Sequence, residues 1–161
     1  MPVVLQNRQR VVALDRVWLR RTAEAVLSAA RADDAELSLV LVSDRRMRAL
    51  NRRYRKKDRA TDVLAFPLTP TLSPAGRGKG EGRNPPMLLG DIVISVPTAR
   101  RQAAELGHGL REELRHLLVH AVLHLMGYDH ERGPRDAALM ARKEQAILKA
   151  LGGMVRVGLQ E

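Results

Sequence analysis

Three histidines are spaced as a single bound metal ion requires. His120 and His124 lie four residues apart, and His130 follows six residues after the second. On a helix, side chains at positions i and i+4 project from one face, about one turn apart. Gly127 can end that helix with a positive φ, so that the chain turns back and brings His130 to the same point. Three imidazoles with an open fourth position are the ligands of a catalytic zinc ion, and we therefore predict one Zn²⁺ per chain.

The residue after the first histidine limits the chemistry that this spacing serves. The spacing H-x-x-x-H-x-x-G-x-x-H also occurs in metzincin proteases, where a glutamate at that position is the general base. Here the position is Ala121, so peptide hydrolysis would lack its base. Asp129 directly precedes the third histidine. It is either a general base or the carboxylate that orients a histidine ligand, and we favour the second role.

Two further histidines precede this set. His116 lies one turn before His120 on the same predicted helix. It is about 12 Å from His124 along the helix axis, so the two cannot bind the same ion. His108 is interpreted as a surface residue.

A strongly basic segment spans Arg45–Arg59. It holds nine basic residues against a single acid, Asp58. Crowding like charges on a helix costs stability unless a polyanion relieves the repulsion. The density therefore favours a surface that follows a phosphate backbone over a merely solvated helix face. The basic residues are Arg45, Arg46, Arg48, Arg52, Arg53, Arg55, Lys56, Lys57 and Arg59.

The composition excludes several classes of protein. The 161 residues include 28 Lys and Arg against 18 Asp and Glu, and the formal net charge of +10 favours polyanionic partners. The absence of cysteine excludes disulfide scaffolds, thiol catalysis and cysteine-ligated metals. Aromatic residues are too few for a surface that stacks several bases in succession. No secretion signal is evident, and the apolar stretch Leu117–Leu125 is too short to cross a bilayer, so we expect a cytoplasmic protein.

The predicted elements follow the order β-α-β-α-β-β-α-α-α. Strands come early and helices late, with a hairpin-like pair in the middle, which is typical of the α+β class rather than of repeated βαβ units. Asp15 and Ser43 are predicted N-caps, Gly107 is predicted to end a helix, and Gly152-Gly153 is predicted to end the last one. The predicted strands cover 3–7, 37–42, 61–66 and 88–95.

One segment differs from the rest of the chain. Between Pro70 and Pro86, eight of seventeen residues are proline or glycine, which predicts a disordered loop between two strands. Loop length costs little in closure entropy, so a tolerated surface insertion is favoured over a mobile clamp on RNA.

Several separate motifs resemble one known family. The segment His120–His130 resembles the H-G-x-L-H-L-x-G-Y-D-H signature of the YbeY endoribonucleases, also called rRNA maturation factors. Motifs within Leu50–Pro67 and Leu89–Ile92 resemble the same family in the same order, and the resemblance covers nearly the whole chain. The departures are Ala121 for the usual glycine, Ala65 for the usual serine, and the unusual length of the proline- and glycine-rich insertion.

This resemblance implies a fold, an activity and a set of site residues. The fold would be a single α+β domain over residues 1–161, with a small mixed sheet of about four strands and about five helices around a metal cleft. The activity would be metal-dependent cleavage of single-stranded RNA, in 3′ maturation of small-subunit (16S) rRNA and in ribosome quality control. His120, His124 and His130 would bind zinc and take part in catalysis. Arg55 would lie beside the cleft and stabilise phosphate charge.

The implied partners are single-stranded RNA, ribosomal RNA and the small ribosomal subunit, with no membrane and no DNA partner expected. Two alternatives stay open. One is a different metallohydrolase, such as a metzincin-like protease. The other is a non-catalytic ribosome- or RNA-binding assembly factor, in which the metal only stabilises the fold. The residues predicted to hold the RNA backbone are Arg52, Arg53, Arg55, Lys57 and Arg59.

Overall fold

The computed structural model describes residues 3–68 and 88–158, and the side chains of His130 and of residues 153–158 lie outside that description. The predicted α+β class, with a four-stranded mixed sheet and five helices among the described residues, is confirmed. The predicted loop at 70–86 lies outside the described residues. The elements are β1 (Val3–Asn7), α1 (Arg16–Ala29), β2 (Glu36–Val42), α2 (Asp44–Arg55), β3 (Val63–Pro67), β4 (Leu88–Ser95), α3 (Val96–Leu106), α4 (Leu110–Leu125), a 3-10 helix (His130–Arg132) and α5 (Pro134–Gly158).

The sheet has the strand order β1-β2-β4-β3. Strands β1, β2 and β4 run parallel, and β3 pairs antiparallel with β4 at the edge. The N-terminal segment is a single βαβ unit, in which α1 connects the parallel neighbours β1 and β2, and the α+β pattern without repeated βαβ units is otherwise as predicted. Strand β2 lies between β1 and β4, and its burial alternates along most of its length: Leu37, Leu39 and Leu41 are buried in the main core, and Glu36, Ser38 and Val40 are partly exposed.

Local sequence signals set the ends of most helices. The side chains of Asp15 and Ser43 each accept a backbone N–H in the first turn of α1 and α2, as predicted. Gly107 ends α3 with φ +77°. Gly152 does not end the last helix, which continues to Gly158. The predicted end was wrong because glycine inside a helix costs only about 1 kcal/mol relative to alanine.

The two faces of the sheet bury separate apolar clusters. Leu39 and Leu41 of β2 contribute to the main core with α1, α4 and α5, whereas Val42 packs with Met47 beneath α2. Helix α4 runs through the main core. From position 116 to its end, its only residues that are not buried are His116, His120 and His124. Among the described residues, no helix combines the length and the apolar content needed to cross a membrane.

A carboxylate joins α2 to the end of β4 and the start of α3. Asp44 Oδ1 accepts hydrogen bonds from the hydroxyls of Ser95 and Thr98, both at 2.6 Å. Arg101 Nη1 lies 2.8 Å from Asp44 Oδ2. Burial raises the pKa of Asp44, but the hydrogen bonds from Arg101, Ser95 and Thr98 outweigh burial and hold that pKa below its usual value. The group fixes the start of the basic helix against the sheet.

Candidate functional site

A cleft of about 450 Å³ opens over the histidines of α4. Its walls come from α4, β3, the last residue of α2, the 3-10 helix and α5. These elements are far apart in the chain, so only the packing of the sheet against the helices brings them together. The charged and histidine residues that line the cleft are Arg55, Asp62, His116, His120, His124, Glu131 and Glu144.

The predicted histidine pair lies on one wall of this cleft. The ring centroids of His120 and His124 are 5.2 Å apart, with an angle of 67° between the planes. The three residues between them in the sequence, Ala121, Val122 and Leu123, are buried, because the second half of α4 packs its other faces into the main core. The helix therefore presents the two imidazoles together, as their spacing predicts.

His120 also contacts a residue that the sequence analysis missed. Its Nδ1 atom lies 2.5 Å from Oε2 of Glu144, on α5. The two side chains are 34% and 27% exposed, so the contact lies at the cleft wall rather than in open solvent. Glu144 carries no motif or spacing signal, since it belongs to a different helix, 24 residues further along the chain.

The chain after α4 turns back toward the cleft. Gly127 has φ +104°, and its N–H donates to the carbonyl of His124 at 3.0 Å. Asp129 Oδ1 then accepts the N–H of Glu131 at 2.9 Å and caps the 3-10 helix that begins at His130. The expectation that Gly127 ends the helix with a positive φ is confirmed. Whether Asp129 orients a histidine ligand stays a prediction.

The donors present fit a zinc site. Imidazole nitrogen is a preferred zinc ligand, and because Nδ1 of His120 faces Glu144, His120 would bind a metal through its other ring nitrogen. Within the described side chains, no three His, Cys, Asp or Glu groups are placed to hold an ion. The side chain of the third predicted ligand, His130, lies outside that set.

Arg55 lines the same cleft as the histidine pair. It is the last residue of α2, which ends because Lys56 adopts a left-handed conformation with φ +57°. The following loop is held by Asn51, which is 3% exposed. The side-chain amide of Asn51 donates to the carbonyl of Arg59 at 2.9 Å, and the backbone carbonyl of Asn51 accepts the N–H of Lys57 at 3.3 Å. Asn51 thus ties the loop that follows Arg55 to α2.

The other predicted RNA-binding residues are exposed around this loop but do not line the cleft. Arg52, Arg53, Lys57 and Arg59 are all exposed. Elsewhere in the segment, Arg48 makes two hydrogen bonds to Asp58, at 2.8 and 3.1 Å, which lower the pKa of the Asp58 carboxyl. The basic segment therefore offers several solvent-facing cations beside the cleft.

A series of polar contacts runs from the cleft wall toward the start of α4. The residue spacing in the sequence did not indicate these contacts. With its amide nitrogen facing two carboxylates, Gln102 donates to Asp62 at 3.0 Å and to Glu113 at 3.2 Å. Glu113 Oε1 lies 2.7 Å from His108 Nε2. His108, interpreted as a surface residue, is half-buried: its side chain is 22% exposed and its ring stacks on that of His116.

The fold and the site together define an α+β protein with a histidine- and arginine-lined cleft beside a basic helix. Comparison with known proteins gives the family. The family model for "Endoribonuclease YbeY" matches residues 4–152. The "Endoribonuclease YbeY" of Anaeromyxobacter dehalogenans is 49% identical over 143 residues, covering 89% of this chain and 67% of the relative. That of Aquifex aeolicus is 41% identical over 149 residues, covering 92% and 91%.

The chain belongs to the endoribonuclease YbeY family. Its fold is also similar to the solution structure of TM1509 from Thermotoga maritima, with a TM-score of 0.65. That match covers 96% of this chain and 92% of the other at 24% sequence identity, and it bears on the fold alone.

Proposed function

We propose that this chain is a zinc-dependent endoribonuclease that cleaves single-stranded RNA, in 3′ maturation of 16S rRNA and in ribosome quality control. The observation that carries the proposal is that Arg55 lines one cleft with His120 and His124, although α2 and α4 are far apart in the chain. Membership of a family whose relatives are named endoribonucleases supports RNA as the substrate.

His120, His124 and His130 are the proposed zinc ligands. A zinc ion bound by them supplies Lewis-acid chemistry, which polarises a phosphoryl oxygen or a water molecule. The planar guanidinium of Arg55 donates paired hydrogen bonds to phosphate oxygens and balances the negative charge that develops during cleavage. Asp129 is proposed to orient a histidine ligand.

Exposed cations beside the cleft are proposed to hold the RNA backbone. Arg52, Arg53, Lys57 and Arg59 surround the loop that follows Arg55, and all four are exposed. Contacts of this kind bind phosphate without reading bases, so affinity should fall steeply with salt. The net charge of +10 also favours association with ribosomal RNA on the small subunit. We propose the cytoplasm as the location, because the substrate is a ribosomal precursor.

The test is cleavage of an end-labelled RNA that carries a single-stranded tail. We expect the wild type to cleave it and His124→Ala, purified identically, to be inactive. His108→Ala is the matched control, because it removes an imidazole that does not line the cleft. Circular dichroism of all three proteins checks that they are folded. Mapping of the 16S rRNA 3′ end in precursor ribosomal particles then tests the maturation step.

Other outcomes would favour the alternatives. Cleavage of a peptide but not of RNA would indicate a different metallohydrolase. Salt-dependent RNA binding that survives His124→Ala, with no cleavage by the wild type, would indicate a non-catalytic assembly factor. Equal cleavage by the wild type and His124→Ala would refute the assignment of the histidines.

A further inference from the structure

The contact between Glu144 and His120 brings a carboxylate to one predicted zinc ligand. Glu144 Oε2 and His120 Nδ1 are in hydrogen-bond contact, 2.5 Å apart, and a hydrogen bond from an N–H to a carboxylate is charge-assisted. Nδ1 is therefore committed to the carboxylate. A metal ion bound by this ring would therefore be held through the other nitrogen, Nε2.

The position of Glu144 follows from the packing of α5. Met140 and Ile147 lie one turn before and one turn after it, and they are 1% and 5% exposed. They anchor this face of the helix in the main core. Glu144 shares that face and is the only acid within this stretch of α5, where Arg142 and Lys143 are exposed. The carboxylate is thus held in place by buried apolar neighbours rather than by a flexible loop.

We propose that Glu144 is a positioning residue for His120. Its carboxylate accepts a hydrogen bond from Nδ1–H, fixes the ring orientation and selects the tautomer that would bind zinc through Nε2. Metal-ligating histidines commonly donate their second N–H to a carboxylate, which orients the ring and increases its strength as a ligand. This inference rests on the proposed metal site, and it assigns Glu144 to that site.

Zinc affinity, measured by competition with a chromophoric chelator, tests the role without reference to cleavage. Glu144→Ala should weaken zinc binding about 10- to 100-fold, the usual effect of losing such a partner. Glu144→Gln should fall between Glu144→Ala and the wild type, because its amide oxygen accepts the same N–H without the charge. Glu105→Gln makes the same chemical change at an exposed position on α3 and should bind zinc like the wild type.

A second measurement needs no metal. Long-range ¹H–¹⁵N correlation spectra of the metal-free protein at fixed neutral pH report which ring nitrogen of His120 carries the proton. We expect protonation at Nδ1 in the wild type and in Glu105→Gln, and a shift toward the Nε2-protonated tautomer in Glu144→Ala. Thermal unfolding in excess chelator checks the fold, and the near-isosteric Glu144→Gln decides the question if Glu144→Ala is unstable.

The outcomes separate this inference from the proposed function. Zinc affinities of Glu144→Ala and Glu144→Gln within threefold of the wild type would overturn the positioning role, even if His124→Ala abolishes binding and the metal site stands. Wild-type zinc affinity in His124→Ala would overturn both the site and the role of Glu144. A third outcome combines weakened zinc binding by Glu144→Ala with no RNA cleavage by the wild type. It would support the positioning role and refute only the proposed activity.

Discussion

Replacing Gly90 with alanine should strongly destabilise the protein, for two independent reasons. Gly90 has φ +145°, which L side chains rarely adopt, and it lies where β4 pairs irregularly with β2. A Cβ at this position would lie 2.4 Å from the carbonyl oxygen of Phe66 and 3.0 Å from Cα of Pro67. Both are backbone atoms of β3, so the clash can be relieved only by moving β3 away from β4.

The two reasons set the magnitude. Strain at a φ that only glycine tolerates costs about 1–3 kcal/mol, and overpacking against a rigid neighbour costs about 1–3 kcal/mol. We therefore expect Gly90→Ala to lower the free energy of unfolding by roughly 2–6 kcal/mol. At this chain length, each kcal/mol lowers Tm by about 2–4 °C. Because β3 carries Val63 and Ala65 on the cleft wall, any displacement would also distort the site.

Two other glycines separate the strain from the clash. Gly107 has φ +77° and nothing within 4 Å of an added Cβ, so Gly107→Ala introduces strain alone. Gly109 has φ −78° and open space around it, so Gly109→Ala introduces neither strain nor clash and loses only the N-cap preference of glycine over alanine, up to about 1 kcal/mol. Urea unfolding followed by circular dichroism should rank the losses in the order Gly90, Gly107, Gly109. A Gly90→Ala variant within about 1 kcal/mol of Gly109→Ala would refute the reasoning.

Three further predictions concern charge. Arg55→Lys keeps the positive charge but loses the planar guanidinium that donates two parallel hydrogen bonds, so kcat/KM for RNA cleavage should fall roughly 10-fold or more. Unchanged kinetics would exclude a bidentate phosphate contact by Arg55. Lys57→Ala should reduce the slope of log binding constant against log salt concentration by about 0.7, the value for one phosphate contact to single-stranded nucleic acid. Filter binding measures this slope, and an unchanged slope would show that Lys57 does not contact the RNA backbone. Asp44→Asn should lower the free energy of unfolding at neutral pH by roughly 1 kcal/mol, a value that allows for the partial exposure of the Asp44 side chain. Because the folded-state pKa of Asp44 is lowered, its stabilisation is full above the unfolded pKa and is lost as pH falls through the folded pKa. The difference from the wild type should therefore shrink below about pH 4, and a constant difference in unfolding free energy from pH 7 to pH 3 would contradict this account.

Much of the fold follows from local signals. The caps at Asp15 and Ser43 and the end of α3 at Gly107 are each satisfied within one turn of chain, so sequence alone predicts them. The parallel pairing of β1 with β2 is different. It depends on which strands become neighbours in the sheet, and no local spacing carries that information. The end of the last helix was missed because helix interiors tolerate glycine when buried neighbours hold the helix in place.

The same distinction between local sequence signals and tertiary packing applies to the site. The shared face of His120 and His124 follows from their spacing, because the period of a helix is a local property. The turn at Gly127 likewise follows from a local signal. The contact between Glu144 and His120 arises from tertiary packing, because it depends on the burial of Met140 and Ile147, which docks α5 beside α4. Contacts between distant elements arise from the burial of shared apolar surface, which no spacing within one element records.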